Sequence, residues 1–296
     1  MNCFSVNPFS LAKRIKRPLI FDGAMGSLLQ QKGFATDDKL WTSEVNINAP
    51  EAVIKIHRDY IEAGADIITT NTFRTNPYSL EQAGIKNCSE YVKKAVNLAK
   101  KAAANLPVFI AGSNAPAEDC YQKERNISRS KLEDNHRNHI DLLIDNNVDF
   151  ILNETQSHFD EIQIICKYCS ENDIPFVLSL YLDENLNLLS GEVFETVLQF
   201  IREYNPLAIG INCISIEQFS RIINSIDITQ NWGFYLNCGA GNPTDKIITC
   251  GVFPEYYSEI VKDSLKWKPS FIGSCCGSSP EHIKAIKRVL DGKNSD

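Results

Sequence analysis

The chain has 296 residues, 43% of them hydrophobic and 23% charged, with a net charge of −7 at pH 7. This composition supplies a full core and excludes a disordered chain; an acidic balance without a basic block excludes nucleic acid as the main partner. No run approaches the roughly 20 apolar residues that cross a bilayer, so no membrane partner is expected, and small-molecule chemistry in the cytoplasm is the expectation. Residues 1 to 21 carry Lys13, Arg14, Lys16 and Arg17 and no acid, a composition that organelle-targeting peptides share. Without a secretory signal the ten cysteines are expected to stay reduced, which leaves them available for metal binding or catalysis.

In chain order, an apolar run at 18–22 reads as a first strand, and a long loop, 23–50, follows it with Gly23, Gly26 and Trp41. That loop is placed to fold over a barrel mouth, with Trp41 either lining a donor pocket or plugging the loop's underside. Helical spacing of apolar residues over 52–62 leads to a strand at 66–73, and then helix 91–104, strand 107–113, helix 132–146 and strand 148–154. The alternation continues through helix 159–170, strand 175–181, helix 193–204, strand 207–213, helix 216–226, strand 233–238, helix 256–265, strand 270–275 and helix 281–290. The strands are continuously apolar, as strands buried on both faces of a parallel sheet must be. Pro50-Glu51 and Ser279-Pro280-Glu281 suit first helical turns. Strand–helix alternation of this kind, with no Gly-x-Gly-x-x-Gly after any strand, predicts a single (β/α)8 TIM barrel over residues 1–296.

Polar residues gather where these strands end: Asp22, Asn71-Thr72, Glu154-Thr155, Asn212-Cys213, Asn237-Cys238 and Cys275-Cys276. In such a barrel the C-terminal strand ends form the active-site rim. Two adjacent cysteines in a regular strand point to opposite faces, but the flanking Gly273 and Gly277 permit a bend that turns both sulfurs to one side. An isolated pair reads equally well as two inert buried thiols. Cys213 brings a third thiol to the same rim, and three protein ligands with an open fourth position describe a catalytic zinc site. Cys166 and Cys169 fall within a helix and read as structural; Cys238 is an alternative ligand; Cys3, Cys88, Cys120 and Cys250 show no partner pattern. His57, His136, His139, His158 and His282 all lie on or beside helices, which disfavours a histidine metal site or a triad.

Asp22-Gly23-Ala24-Met25-Gly26, Ala63-Gly64-Ala65-Asp66 leading to Asn71-Thr72-Phe73, Glu154-Thr155, Gly210-Ile211-Asn212-Cys213 and Gly273-Ser274-Cys275-Cys276-Gly277 resemble, in order, the motifs of the zinc-dependent homocysteine S-methyltransferase family. The resemblance covers about residues 18–290. It implies a Zn2+ ion on Cys213, Cys275 and Cys276 that activates the thiol of homocysteine, with Asn237 as a resting-state ligand. In that setting Asp22 and Glu154 are expected to bind the substrate ammonium, backbone amides of Gly23 and Ala24 its carboxylate, and Asn71 and Thr72 to complete the substrate site. The chain departs from the family pattern at Ser274, where glycine is usual, and at Cys238, where alanine is common. A barrel without a donor domain favours a small cationic donor, S-methylmethionine before betaine, while Thr70-Asn71-Thr72-Phe73 looks more like the cobalamin-dependent methionine synthases and keeps a corrinoid or folate methyl-carrier protein in play. A non-catalytic zinc or thiol sensor is the alternative of another class; the presence of an amino-acid clamp at Asp22 and Glu154 argues against it.

Overall fold

The computed structural model describes residues 7–223, 230–241, 245 and 247–292. Eight parallel strands, β1 (Leu19–Ile20), β2 (Ile67–Thr69), β3 (Phe109–Asn114), β4 (Phe150–Gln156), β5 (Phe176–Leu180), β6 (Ala208–Asn212), β7 (Trp232–Leu236) and β8 (Phe271–Ser274), pair in the order β1-β8-β7-β6-β5-β4-β3-β2. The ring closes between β1 and β2: Phe21 bridges Ile67 in parallel, Asp66 N–H donates to Ile20 O at 2.8 Å, and Asp22 N–H donates to Ile67 O at 3.0 Å. The predicted (β/α)8 barrel is therefore what forms.

The principal crossover helices are α4 (Pro50–Ala63), α6 (Cys88–Ala103), α7 (Arg129–Asp145), α8 (Phe159–Glu171), α9 (Phe194–Arg202), α10 (Ile216–Ile222), α11 (Pro254–Ser264) and α12 (Pro280–Leu290). Their ends follow local chemistry. Asn87 and Ser128 accept N-cap hydrogen bonds for α6 and α7, Ser215 and Gln218 form a capping box on α10, and Gly64 ends α4 in the left-handed conformation. The sequence expectation extends the tenth helix to residue 226; residues 224–226 lie outside the described residues, as does Cys3.

Four further helices were not expected: α1 (Pro8–Ile15), α2 (Met25–Gln31), α3 (Val45–Asn48) and α5 (Pro77–Gln82). Helix α1 closes the bottom of the barrel. Phe9, 1% exposed, meets Phe271 at a ring separation of 5.8 Å, and Phe271 stacks on Phe21 at 4.5 Å. The basic segment that follows is also part of the fold, because Arg17 pairs with Asp66 at 2.6 Å and Asp66 in turn accepts the Ile20 N–H. Inside the barrel, Phe21, Ile67, Ala111, Phe150, Leu152, Val177, Tyr235 and Phe271 fill the lumen, while a larger apolar layer joins strands to helices. Among the described residues no helix is long and apolar enough to cross a membrane. With the bottom sealed, the open end is the C-terminal rim.

Candidate active site at the C-terminal rim

A cavity of about 470 Å³ opens at that rim. Its floor carries the three cysteines. Cys275 S–H donates to Cys213 Sγ at 2.8 Å, Cys213 and Cys276 lie 3.7 Å apart, and all three sulfurs fall within 4.8 Å of one another, a group able to hold one metal ion. The backbone makes this possible in two unusual places. Cys213 takes φ +57°, a left-handed conformation rare outside glycine, which turns its side chain out of strand alternation. Gly277, at φ +82°, completes the turn after Cys275 and Cys276; a Cβ there would stand 2.5 Å from Gly239. Gly273 acts differently from the expectation, since its φ is not left-handed; it admits the close approach of Phe21, whose Cβ a side chain at 273 would meet at 2.8 Å.

Tyr121, in the loop between β3 and α7, donates its hydroxyl to Cys213 Sγ at 3.1 Å. Contact with the Cys275 and Cys276 sulfurs and donation from Tyr121 hold the Cys213 thiol well below its ordinary pKa, against the opposing effect of burial. The same contact with Cys213 holds Cys275 and Cys276 up.

Two carboxyls flank the sulfurs. Asp22 accepts from Thr69 N–H at 2.8 Å and Thr69 Oγ1 at 2.9 Å; burial nevertheless pushes it up to about 8. Glu154 accepts from the Ser113 hydroxyl and is pushed up to about 7, mainly by burial and further by the charge of Cys213. An acid whose charged form lacks solvent and a counter-ion behaves this way, and a cationic group between the two would reverse it.

Of the other expected site residues, Gly23, Ala24 and Asn71 line the cavity. The Ala24 N–H is already bonded to Ser278 Oγ at 3.1 Å, so it is not the amide offered to a ligand. Asn71 spends its amide on Asn46 Oδ1 at 3.1 Å and Thr42 O at 3.3 Å, stitching the long first loop to the rim. Thr72 corrects the expectation: it is fully buried, absent from the cavity wall, and its hydroxyl donates to Ser113 O at 2.7 Å. Asn237 is likewise not brought to the wall; its Oδ1 accepts the Gly239 N–H at 2.8 Å. Cys238 turns to Leu236 O at 3.6 Å and stands apart from the sulfur trio, while Cys166 and Cys169 are buried in α8.

Trp41 does line the cavity, packed against the sulfur cluster and edge-on to Phe73 at 5.9 Å. Sequence reasoning missed Tyr121, Ser113 and Thr69, each of which acts on a rim residue from a different strand or loop. No spacing rule connects residues 121 and 213, and only the closed barrel does.

A family model described as homocysteine S-methyltransferase matches residues 19–290. The chain belongs to the homocysteine S-methyltransferase family. Relatives include homocysteine S-methyltransferase 2 of Arabidopsis thaliana, 24% identical over 93% of this chain and 94% of that protein. The homocysteine S-methyltransferase of Escherichia coli (strain K12) is 25% identical over 91% of this chain and 94% of its own length. Among solved structures, the metallated form of the homocysteine methyltransferase MmuM from Escherichia coli superposes with a TM-score of 0.78 at 24% identity, covering 93% of this chain and 98% of that one. At this identity the structural likeness shows the shared barrel fold. The family assignment rests on the sequence match, which spans every rim residue described above.

Proposed function

We propose that this chain makes methionine by moving a methyl group from a small sulfonium donor, S-methylmethionine, to homocysteine, with zinc held by Cys213, Cys275 and Cys276. The observation that carries the reading is the convergence of three thiols and two ligand-facing carboxyls in one cavity. The donor set fits the metal: thiolates at ~2.3 Å from a tetrahedral zinc stand ~3.8 Å apart, and Cys213 and Cys276 are 3.7 Å apart as they stand. Cys275, the most exposed of the three, is the one that must draw back from its 2.8 Å contact. Zinc bound there would supply Lewis acidity, lowering the pKa of the homocysteine thiol so that it is a thiolate at neutral pH.

The chain's own residues do the rest. Asp22 and Glu154 hold the substrate ammonium by charge-assisted hydrogen bonds, and Thr69 and Ser113 fix the direction of each carboxylate. The Gly23 amide, at the turn into α2, takes the substrate carboxylate. Tyr121 steadies the Cys213 sulfur by donating its hydroxyl to it. Trp41 and Phe73 wall the side from which a cationic donor arrives, excluding water and favouring its charge through their ring faces. In the transfer the homocysteine sulfur forms a bond to the methyl carbon as the sulfonium carbon–sulfur bond breaks. Its electron pair returns to the donor sulfur, releasing a second methionine; positioning in line is what the site must achieve. The free state of every described cysteine accords with a reducing, cytoplasmic setting.

The test is methionine formation by zinc-loaded protein offered S-methylmethionine, betaine or a methylcorrinoid separately, with Cys276→Ser as control. Methionine from S-methylmethionine, lost in the control, is the expected result. Production from betaine or the methylcorrinoid alone would replace the donor, and no production from any donor despite bound zinc would overturn the reading.

A further inference from the structure

We propose that Arg74 binds the carboxylate of the methyl donor and so selects donors that carry one. This rests on the methyl-transfer reading and adds to it the chemistry that recognises the second substrate.

Arg74 follows Phe73 on the segment between β2 and α5, and its side chain is 15% exposed. It is the only lysine, arginine or histidine among the described residues lining the cavity, against six acids there: Asp22, Asp37, Asp38, Asp119, Glu154 and Asp245. Its position relative to the sulfurs follows from a chain of contacts. Tyr121 reaches Cys213 through its hydroxyl and Asp119 Oδ1 through its backbone N–H at 3.0 Å. Asp119 Oδ1 lies 3.7 Å from Arg74 Nη2, and the Arg74 guanidinium stands 5.5 Å from the centre of the Phe73 ring. Phe73 meets Trp41, which packs back onto the sulfur cluster. Arg74 thus closes a ring of side chains around the space in front of the cysteines.

The guanidinium is not saturated by what it touches. Nη1 donates to Glu118 O at 2.6 Å. The approach to Asp119 is too long for a hydrogen bond, and Asp119 is itself 48% exposed. A planar fork of five N–H donors with one short neutral partner suits a carboxylate in bidentate geometry. On the methyl-transfer reading the homocysteine carboxylate goes to the Gly23 turn, next to Asp22 in the cavity wall. What remains is the donor. S-methylmethionine and betaine each join an onium centre to a carboxylate, so one end would rest on Trp41 and Phe73 and the other on Arg74, aligning the methyl group with the sulfur to be alkylated.

The experiment is calorimetric titration of zinc-loaded wild type, Arg74→Gln and Arg74→Lys with S-methylmethionine, with trimethylsulfonium, which has no carboxylate, and with homocysteine. Arg74→Gln is expected to weaken S-methylmethionine about tenfold or more while trimethylsulfonium and homocysteine keep their wild-type affinities, and Arg74→Lys to fall between. Equal weakening of both donors, or weakening of homocysteine instead, would assign Arg74 to holding the Glu118 loop or to the other substrate and overturn the proposal. So would an unchanged S-methylmethionine affinity. Wild-type protein that binds homocysteine but no donor would count against the sulfonium reading itself, a result separable from any effect at Arg74.

Discussion

Thr155 and Asn212 clasp one another across the barrel mouth: Thr155 N–H donates to Asn212 Oδ1 at 3.0 Å, and Asn212 Nδ2 donates to Thr155 Oγ1 at 2.9 Å. Thr155 follows Glu154 and Asn212 precedes Cys213, and both Thr155 and Cys213 adopt φ +57°. A β-branched residue in that conformation is strained by ~1–3 kcal/mol, and the clasp holds it there. This one pair of residues therefore fixes the Glu154 carboxyl relative to the Cys213 sulfur. Asn212→Ala leaves the Thr155 N–H buried without a partner and should cost about 1–3 kcal/mol. Urea unfolding should show that loss together with a raised KM for homocysteine; a stability loss with an unchanged KM would confine the clasp to folding.

Asp22 and Glu154 make the ligand-free protein sensitive to alkali. Their folded pKa values, about 8 and about 7, lie above the ordinary carboxyl values of 3.8 and 4.5. Stability is therefore fully present below about pH 4, where both states are protonated, and is lost as pH rises through the folded values. The melting temperature of the apoprotein should fall between about pH 5 and 8, and the Asp22→Asn, Glu154→Gln double variant should flatten that fall. A profile of the same slope in the double variant would remove these two groups as its cause.

Replacing any one of Cys213, Cys275 and Cys276 by serine should abolish stoichiometric zinc binding, read by elemental analysis, and lower methyl transfer by at least about a thousandfold, because the substrate thiol is then left at its solution pKa. Cys238→Ala should retain zinc, since that sulfur faces Leu236 O. Zinc loss in Cys238→Ala with retained folding would make it a ligand after all.

Tyr121→Phe removes the hydroxyl on Cys213 and little else, as the ring remains packed edge-on against Tyr181 at 5.0 Å. Partners of metal ligands typically contribute 10–100-fold in metal affinity or activity. Zinc competition titration should show about a tenfold weaker site with an unchanged melting temperature of the apoprotein; wild-type zinc affinity would show that the bond has no bearing on the metal.

Much of this molecule was legible before folding, and for a physical reason. Strands buried on both faces are continuous apolar runs, so all eight declare themselves, and the polar residues that end six of them mark the rim. The first two strands nevertheless prove shorter than their runs, Leu19–Ile20 and Ile67–Thr69; beyond them Asp22 keeps a single backbone bond to Ile67 O while its carboxyl turns to Thr69, and Asn71 bonds the loop above. Helix α1 begins on a local signal, Asn7 accepting the Phe9 N–H with Pro8 in the first turn, but its seat on the barrel floor comes from Phe9 meeting Phe271, which no local pattern encodes. The same holds for Tyr121, whose role exists only once its loop lies over Cys213. Thr72 was misplaced because a hydroxyl next to rim residues looks identical in sequence whether it faces the cavity or Ser113 O.

Phe9→Ala offers a check at the opposite end. Removing a fully buried aromatic from the barrel floor should cost about 3–5 kcal/mol while leaving the homocysteine KM unaltered, since its ring partner Phe271 does not line the cavity; an altered KM would show the two ends to be coupled.

The missing side chain at Gly26 has a consequence for how this family member could change its diet. A Cβ at that position would lie 2.4 Å from Trp41 Cη2, so the indole occupies the room that any other residue in α2 would claim. The breadth of the chamber facing the cysteines is thus set in part by a position of α2 that carries no side chain. Enlarging residue 26 would tilt the indole and resize the chamber while leaving the three cysteines, Asp22 and Glu154 as they are, so that substrate range is free to drift while the reaction stays fixed.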